Sequence, residues 1–218
     1  MTAGAIRTVA IDGPAGAGKS TLARALAERL GLERLDTGAM YRSVAWAALE
    51  RGIDPADTAA VVGLARGLAI EVGERVTVDG HDATAGIRSA AVDTAVSAVA
   101  ANAEVRREMV GRQRAWVEAR GGGVVEGRDI GTVVLPGADL KIYLTARPDE
   151  RARRRAAERG GRRALAEVAA DLDRRDTLDS TRAASPLPGI TDVADDAVVV
   201  DSTGKQLEDV LQEVLTCL

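Results

Sequence analysis

Residues 13 to 20 read Gly13-Pro14-Ala15-Gly16-Ala17-Gly18-Lys19-Ser20, and this stretch decides the fold. It satisfies the pattern G-x-x-x-x-G-K-S. It also lies between a short apolar run, Val9 to Ile11, and a segment that carries Leu22, Leu26 and Leu30 on one helical face. A strand, this loop and an amphipathic helix in that order give the pattern its physical meaning. The glycines let the backbone curl so that successive N–H groups point inward at phosphate oxygens, and the helix N-terminus adds its dipole. Gly13 through Ser20, with Thr21, are therefore the candidate residues for the phosphates of a nucleoside triphosphate. Lys19 is expected to reach the β and γ phosphates, and the Ser20 hydroxyl to ligate a magnesium ion that bridges them. A glycine-rich turn with no ligand is the bland alternative, and the flanking strand and helix argue against it.

Outward from the loop, short β-rich runs alternate with longer stretches of helical period, the pattern of a parallel sheet wrapped by helices. The expected strands are Arg7 to Ile11, Glu33 to Leu35, Val124 to Glu126, Lys141 to Leu144 and Val198 to Val200. The last segment repeats Leu207, Val210, Leu211, Val214 and Leu215 along one face and reads as a helix. The expected architecture is an α/β fold, a three-layer P-loop NTPase core with a five-stranded parallel sheet. Residues 1–218 are read as a single unit with two departures from the alternation. From about Ala65 to Asp82, LAIEVGERVTVDG reads as a small hairpin turning at Gly73 and Glu74, followed by an alanine-rich helical stretch through Ala101. This marks an inserted lobe at about 38–105. The other departure, at about 149–165, is DERARRRAAERGGRRAL, where seven arginines flank Gly160 and Gly161. It is either a solvated helix face or a lid that closes over phosphates.

Composition narrows the classes. The 218 residues are 46% hydrophobic and 28% charged, which excludes a disordered or fibrous chain. With 29 lysines and arginines against 33 acidic residues the net charge is -4, so no nucleic-acid or anionic-membrane partner is expected. Cys217 is the single cysteine and His81 the single histidine, which excludes disulfides within the chain, cysteine or multi-histidine metal sites, and a histidine triad. His81 reads as a solvated loop residue in VDGHDATAG. No segment approaches a membrane span, and the N-terminus lacks a continuous apolar leader, so a cytoplasmic location is expected. Nothing in the sequence demands more than a monomer.

The phosphate loop alone does not choose among GTPases, motors, transporter ATPases and small-molecule kinases. A Ras-type GTPase needs an N-K-x-D segment, but the one asparagine, Asn102, is followed by Ala103. The acceptor side is more specific. Leu35-Asp36-Thr37-Gly38-Ala39-Met40-Tyr41-Arg42 follows the second strand, and Gly127-Arg128-Asp129-Ile130-Gly131-Thr132 follows the third, where doubly wound folds bind ligands. Arg175, Asp179 and Arg182 share one face of a helical stretch, which on its own reads as an ordinary surface ion-pair ladder.

Together these segments resemble the bacterial cytidylate kinases. The matching pieces are IDGPAGAGKST, LDTGAMYR, SAVAA, the VR of EVRREMVGRQRAW, EGRDIGTVV, LKIYL, ERARRR, RDTLDSTR with the following SPL, and VVDST, in order from residue 11 to residue 203. Thr37 stands where a serine is common, and Ser20 where some members have glycine. The resemblance implies phosphorylation of CMP and dCMP with ATP and Mg2+. It implies that Ser97, Arg106 and Asp129 read the cytosine edge. A carboxylate at Asp129 suits the N4 amino donor and Arg106 suits the acceptors, whereas uracil presents the opposite order. It further implies that Arg42 and Arg128 grip the acceptor phosphate, that Asp179 and Arg182 hold the sugar, and that Arg175 faces the phosphates, with Asp36 and Thr37 lining the acceptor site. Lys19, Arg128 and the lid arginines Arg151, Arg154 and Arg155 would neutralise charge on the transferred group. A different acceptor, such as UMP, AMP or shikimate, and a non-catalytic ATP switch are the competing readings.

Overall fold

The computed structural model describes residues 6–158, 164–181 and 193–217. Its elements, in chain order, are β1 (Thr8–Asp12), α1 (Lys19–Leu30), β2 (Arg34–Asp36), α2 (Thr37–Glu50), α3 (Thr58–Gly67), β3 (Ile70–Val72), β4 (Val76–Val78), β5 (His81–Asp82), α4 (Ala90–Ala101), α5 (Ala103–Arg120), β6 (Gly123–Glu126), β7 (Leu140–Thr145), α6 (Pro148–Glu158), α7 (Leu165–Thr181), β8 (Ala197–Asp201) and α8 (Leu207–Leu215). The chain divides into two compact units, Met1–Arg34 with Arg120–Leu218, and Leu35–Ala119.

The first unit is built on a five-stranded sheet of order β2-β6-β1-β7-β8. The pairs β1 with β6, β1 with β7 and β7 with β8 are all parallel. Each expected core strand is present, displaced by at most a residue or two. The strands are rich in valine and isoleucine because they are covered on both faces, as a parallel sheet with helices on each side requires. Val9, Ile11, Val124, Ile142, Leu144 and Val200 form the core with Leu22, Leu26 and Val214 from α1 and α8. Because the strands are parallel, Asp12, Glu126 and Thr145 all end on one edge of the sheet, and the loops that leave this edge carry the candidate site. A smaller cluster of Ala152, Val168 and Leu172 joins α6 to α7, and Ala15 of the phosphate loop packs against it.

The second unit has its own core, drawn mainly from α2, α4 and the short strands, with Val44, Ala45, Val61, Val92, Val99, Val105 and Met109 fully enclosed. Its sheet, β3-β4-β5, is antiparallel. The hairpin expected from about Ala65 begins at Ile70, because Thr58–Gly67 is helical, capped where the Asp57 carboxylate accepts from the Ala60 amide. His81 is exposed, as expected, but it belongs to the two-residue strand β5. That strand follows a tight turn at Asp79 and Gly80, both at positive φ, 49° and 77°, as a two-residue hairpin turn requires. Asn102 divides the long helical stretch. Its backbone ends α4, and its side-chain oxygen accepts from the amides of Glu104 and Val105 at the start of α5.

Candidate active site

The phosphate loop bridges β1 and α1, and close packing dictates its glycines. At Gly13, with φ 142°, a Cβ would lie 2.0 Å from the Leu144 carbonyl oxygen, so no other residue fits without moving β7. Gly18, at φ 97° and ψ 13°, turns the chain into α1. The carbonyls of the loop face cations. Lys19 Nζ donates to Gly13 O at 2.8 Å and to Pro14 O at 2.9 Å, and Arg128 Nη1 donates to Gly13 O at 2.6 Å. Arg151 donates to Ala15 O at 3.2 Å and pairs with Asp176, which also accepts from the Ala15 amide at 3.4 Å. Arg154 donates to Ala17 O at 3.2 Å and to the buried Ser202 through both its hydroxyl and its carbonyl, at 2.9 and 2.7 Å. With its carbonyls turned toward four cationic side chains, the loop gathers positive charge at the carboxyl edge of the sheet. Burial, reinforced by the charge of Arg128, pushes the Lys19 ammonium down to about 7.

Two acidic residues at the carboxyl edge of the sheet lie beside the loop and its helix, and neither was singled out from the sequence. Glu126, at the end of β6 and 3% exposed, accepts from Ser20 Oγ at 2.7 Å and from Arg34 Nη1 at 3.1 Å. Asp12, at the end of β1, accepts from the amides of Ile130 and Gly131, each at 2.7 Å. Burial raises its carboxyl to about 6 against the pull of those two amides. The available signal for both was position alone, an acidic residue closing an apolar strand beside the phosphate loop.

Of the expected acceptor residues, the first unit holds Arg128, Asp129, Arg175 and Asp179. Arg128 Nη2 pairs with Asp179 Oδ2 at 3.0 Å, which brings together two residues far apart in sequence. Asp129 is 5% exposed. Arg155 pairs with Glu158 on its own helix at 3.0 Å. Arg182 lies outside the described residues, as do residues 159–163 of the arginine-rich segment and the SPL stretch.

The second unit holds Asp36, Thr37, Arg42, Ser97 and Arg106. Asp36 caps α2 through the Ala39 amide at 3.1 Å, and Thr37 is buried in its first turn. Arg42 donates to Ile87 O at 2.9 Å and to Asp93 at 2.5 Å. Asp93 lies one helical turn before the half-buried Ser97 on α4, so the two share a face. The Arg106 guanidinium stacks on Tyr41, 5.7 Å from the ring centroid. The three expected base-reading residues are thus divided, with Ser97 and Arg106 in one unit and Asp129 in the other.

The Cytidylate kinase family model matches residues 9–218. The chain belongs to the cytidylate kinase family. It is 50% identical over 215 residues to a cytidylate kinase of Desulfitobacterium hafniense (strain Y51), covering 95% of this chain and 90% of that one. It is 45% identical over 216 residues to a cytidylate kinase of Symbiobacterium thermophilum, covering 95% and 93%. A bifunctional pantoate ligase/cytidylate kinase of Prochlorococcus marinus (strain MIT 9303) is 46% identical over 217 residues, and there the chain spans 95% of itself but 43% of the relative. The chain thus covers less than half the length of such bifunctional relatives. Among solved structures, a gluconokinase from Sinorhizobium meliloti 1021 aligns at TM-score 0.54 with 13% identity, covering 97% of this chain and 91% of that one. A sugar kinase from Janibacter sp. HTCC2649 aligns at 0.51 with 16% identity, covering 97% and 93%. These two share the α/β kinase fold. Among the described residues no helix is long and apolar enough to cross a membrane.

Proposed function

We propose that the chain transfers the γ-phosphoryl group of ATP to CMP and dCMP, releasing CDP or dCDP and ADP. The observation that carries this reading is a fully formed phosphate loop, with Ser20 held by Glu126, in a chain that is half identical to a cytidylate kinase over nearly its whole length. The donor phosphates sit against the amides of the loop from Ala15 to Thr21, with Lys19 on the β and γ phosphates. A hydroxyl and a carboxylate 2.7 Å apart, Ser20 and Glu126, are the hard oxygen donors that suit Mg2+. When bound there, Mg2+ supplies charge neutralisation to the β and γ phosphates.

No general base is required, because the nucleophile is an already ionised phosphate oxygen. Catalysis therefore rests on in-line positioning and charge stabilisation. Arg42 and Arg128, whose planar forks suit two phosphate oxygens at once, hold the acceptor phosphate. Arg175, Asp179 and Arg182 hold the sugar and phosphates. Ser97, Arg106 and Asp129 read cytosine. Arg151, Arg154 and Arg155 stabilise the migrating phosphoryl group from the segment at about 149–165, and the unit around 38–105 receives the acceptor. The reaction is placed in the cytoplasm and in a monomer.

Substitution tests these roles. Lys19→Ala abolishes turnover, and wild-type turnover in that variant removes the phosphate-loop assignment. Asp129→Ala mainly erodes preference for CMP. At least one of Arg151→Ala, Arg154→Ala and Arg155→Ala slows turnover by about a thousandfold, as loss of an arginine finger does. If all three leave kcat within about threefold, these arginines take no part in the transfer, and Arg151 and Arg154 only brace the phosphate loop.

A further inference from the structure

After Asp129 the chain enters a single wide helical turn, Ile130–Val134. The amides of Val133 and Val134 return to Asp129 O at 2.9 and 3.2 Å, and the Leu135 amide returns to Ile130 O at 2.7 Å. The first amides of a helical turn have no partner within it, and a neighbouring side chain normally caps them. Asp129, at the capping position, makes no side-chain cap bond here. The cap comes from another strand. Asp12, 6% exposed, gives one carboxylate oxygen to the Ile130 amide and the other to the Gly131 amide, each at 2.7 Å.

Side chains pack closely around this contact. A Cβ on Gly131 would lie 3.4 Å from Asp12 Oδ2 and 3.2 Å from Lys141 Cδ. On its other side Asp12 is bonded covalently to Gly13, whose carbonyl receives both Lys19 and Arg128. One carboxylate therefore ties the start of the phosphate loop to the backbone that carries Arg128 and Asp129.

We infer that Asp12 is a positioning residue for acceptor recognition, fixing Arg128 and Asp129 through the Ile130 and Gly131 amides. The inference rests on the proposed CMP kinase activity. An asparagine at this position presents an NH2 group to one of two amide donors, so one charge-assisted hydrogen bond is lost and one buried donor is left unpaired. The loop that reads the base then samples positions outside the productive one.

The test is steady-state kinetics of Asp12→Asn beside Asp139→Asn. Asp139 makes the same kind of contact at the opposite end of β1, accepting from the amides of Arg7 and Thr8 at 2.9 and 2.8 Å. Asp12→Asn raises KM for CMP and lowers the CMP to UMP preference, each by roughly tenfold or more, while KM for ATP rises several times less than KM for CMP. Asp139→Asn lowers Tm and leaves both acceptor parameters at wild-type values. In an Asp129→Ala background, Asp12→Asn changes the CMP to UMP ratio no further, because the two act in series.

If Asp12→Asn yields no folded protein, Asp12→Glu decides, since it keeps the charge and moves both oxygens one methylene away from the Ile130 and Gly131 amides. A milder form of the same pattern supports the inference. In whichever variant folds, an unchanged KM for CMP and an unchanged base preference overturn it, even if Tm falls. A wild-type protein that does not phosphorylate CMP overturns the activity itself, and the inference falls with it.

Discussion

In the free protein the Lys19 ammonium is buried and faces Arg128, and its proton is held only up to about pH 7. ATP changes this balance. The β and γ phosphates bring several negative charges to Nζ, which favour the charged form and lift the group back toward its ordinary range. At about pH 8 roughly one tenth of free Lys19 is charged, whereas nearly all of it is charged in the complex, so binding takes up about 0.9 proton. The terminal phosphate of ATP is already ionised at that pH and contributes nothing. The sign follows from linkage. Because the bound state holds the extra proton, affinity for ATP falls as pH rises through about 7, steepening to nearly tenfold per unit above about pH 8. Calorimetric titration of ATP in two buffers of different ionisation enthalpy measures the uptake directly. Lys19→Met, which has no proton to gain, removes the buffer dependence. A binding enthalpy that is independent of buffer near pH 8, or an uptake that survives in Lys19→Met, refutes the reasoning.

Other expectations follow from single contacts. Glu126→Gln deprives Ser20 of its charged partner and raises the Mg2+ concentration needed for half-maximal rate by about tenfold, read from a metal titration; an unchanged midpoint removes Glu126 from the metal site. Gly13→Ala abolishes ATP binding, measured with a fluorescent analogue, because its Cβ meets the Leu144 carbonyl oxygen at 2.0 Å; retained affinity contradicts the packing. Gln113 is 1% exposed on α5, and both polar atoms of its amide are buried with no hydrogen-bond partner among the described residues. Gln113→Met therefore stabilises the protein by about 1 to 3 kcal/mol, seen as a higher urea midpoint at unchanged slope, and a lower midpoint contradicts this.

The parallel sheet was legible because its strands are short and continuously apolar, and the phosphate loop because glycine, lysine and serine are fixed there by backbone geometry and charge. Helix α3 was not legible. Its buried residues, Val61, Leu64 and Ala65, are spaced for a helix, but the surrounding alanines and Gly63 blur the period, and only the Asp57 cap marks its start. Lys19, Ser20, Arg128 and Asp179 were readable as candidate site residues because each belongs to a motif of its own. The partners that hold them were not. Glu126 meets Ser20 across 106 positions and Asp12 meets Ile130 across 118, and no local pattern encodes such contacts. Asp93 and Tyr41, which pair with Arg42 and Arg106, depend in the same way on how α2, α4 and α5 pack.

The most direct test of the account is acceptor-dependent ADP release from ATP and Mg2+, run in parallel on CMP, dCMP, UMP, AMP and shikimate. The account predicts strong turnover with CMP and dCMP and much weaker turnover with UMP. Turnover with a different acceptor keeps the phosphate loop but discards the reading of Ser97, Arg106 and Asp129, and ATP binding with no turnover on any acceptor contradicts the proposed reaction.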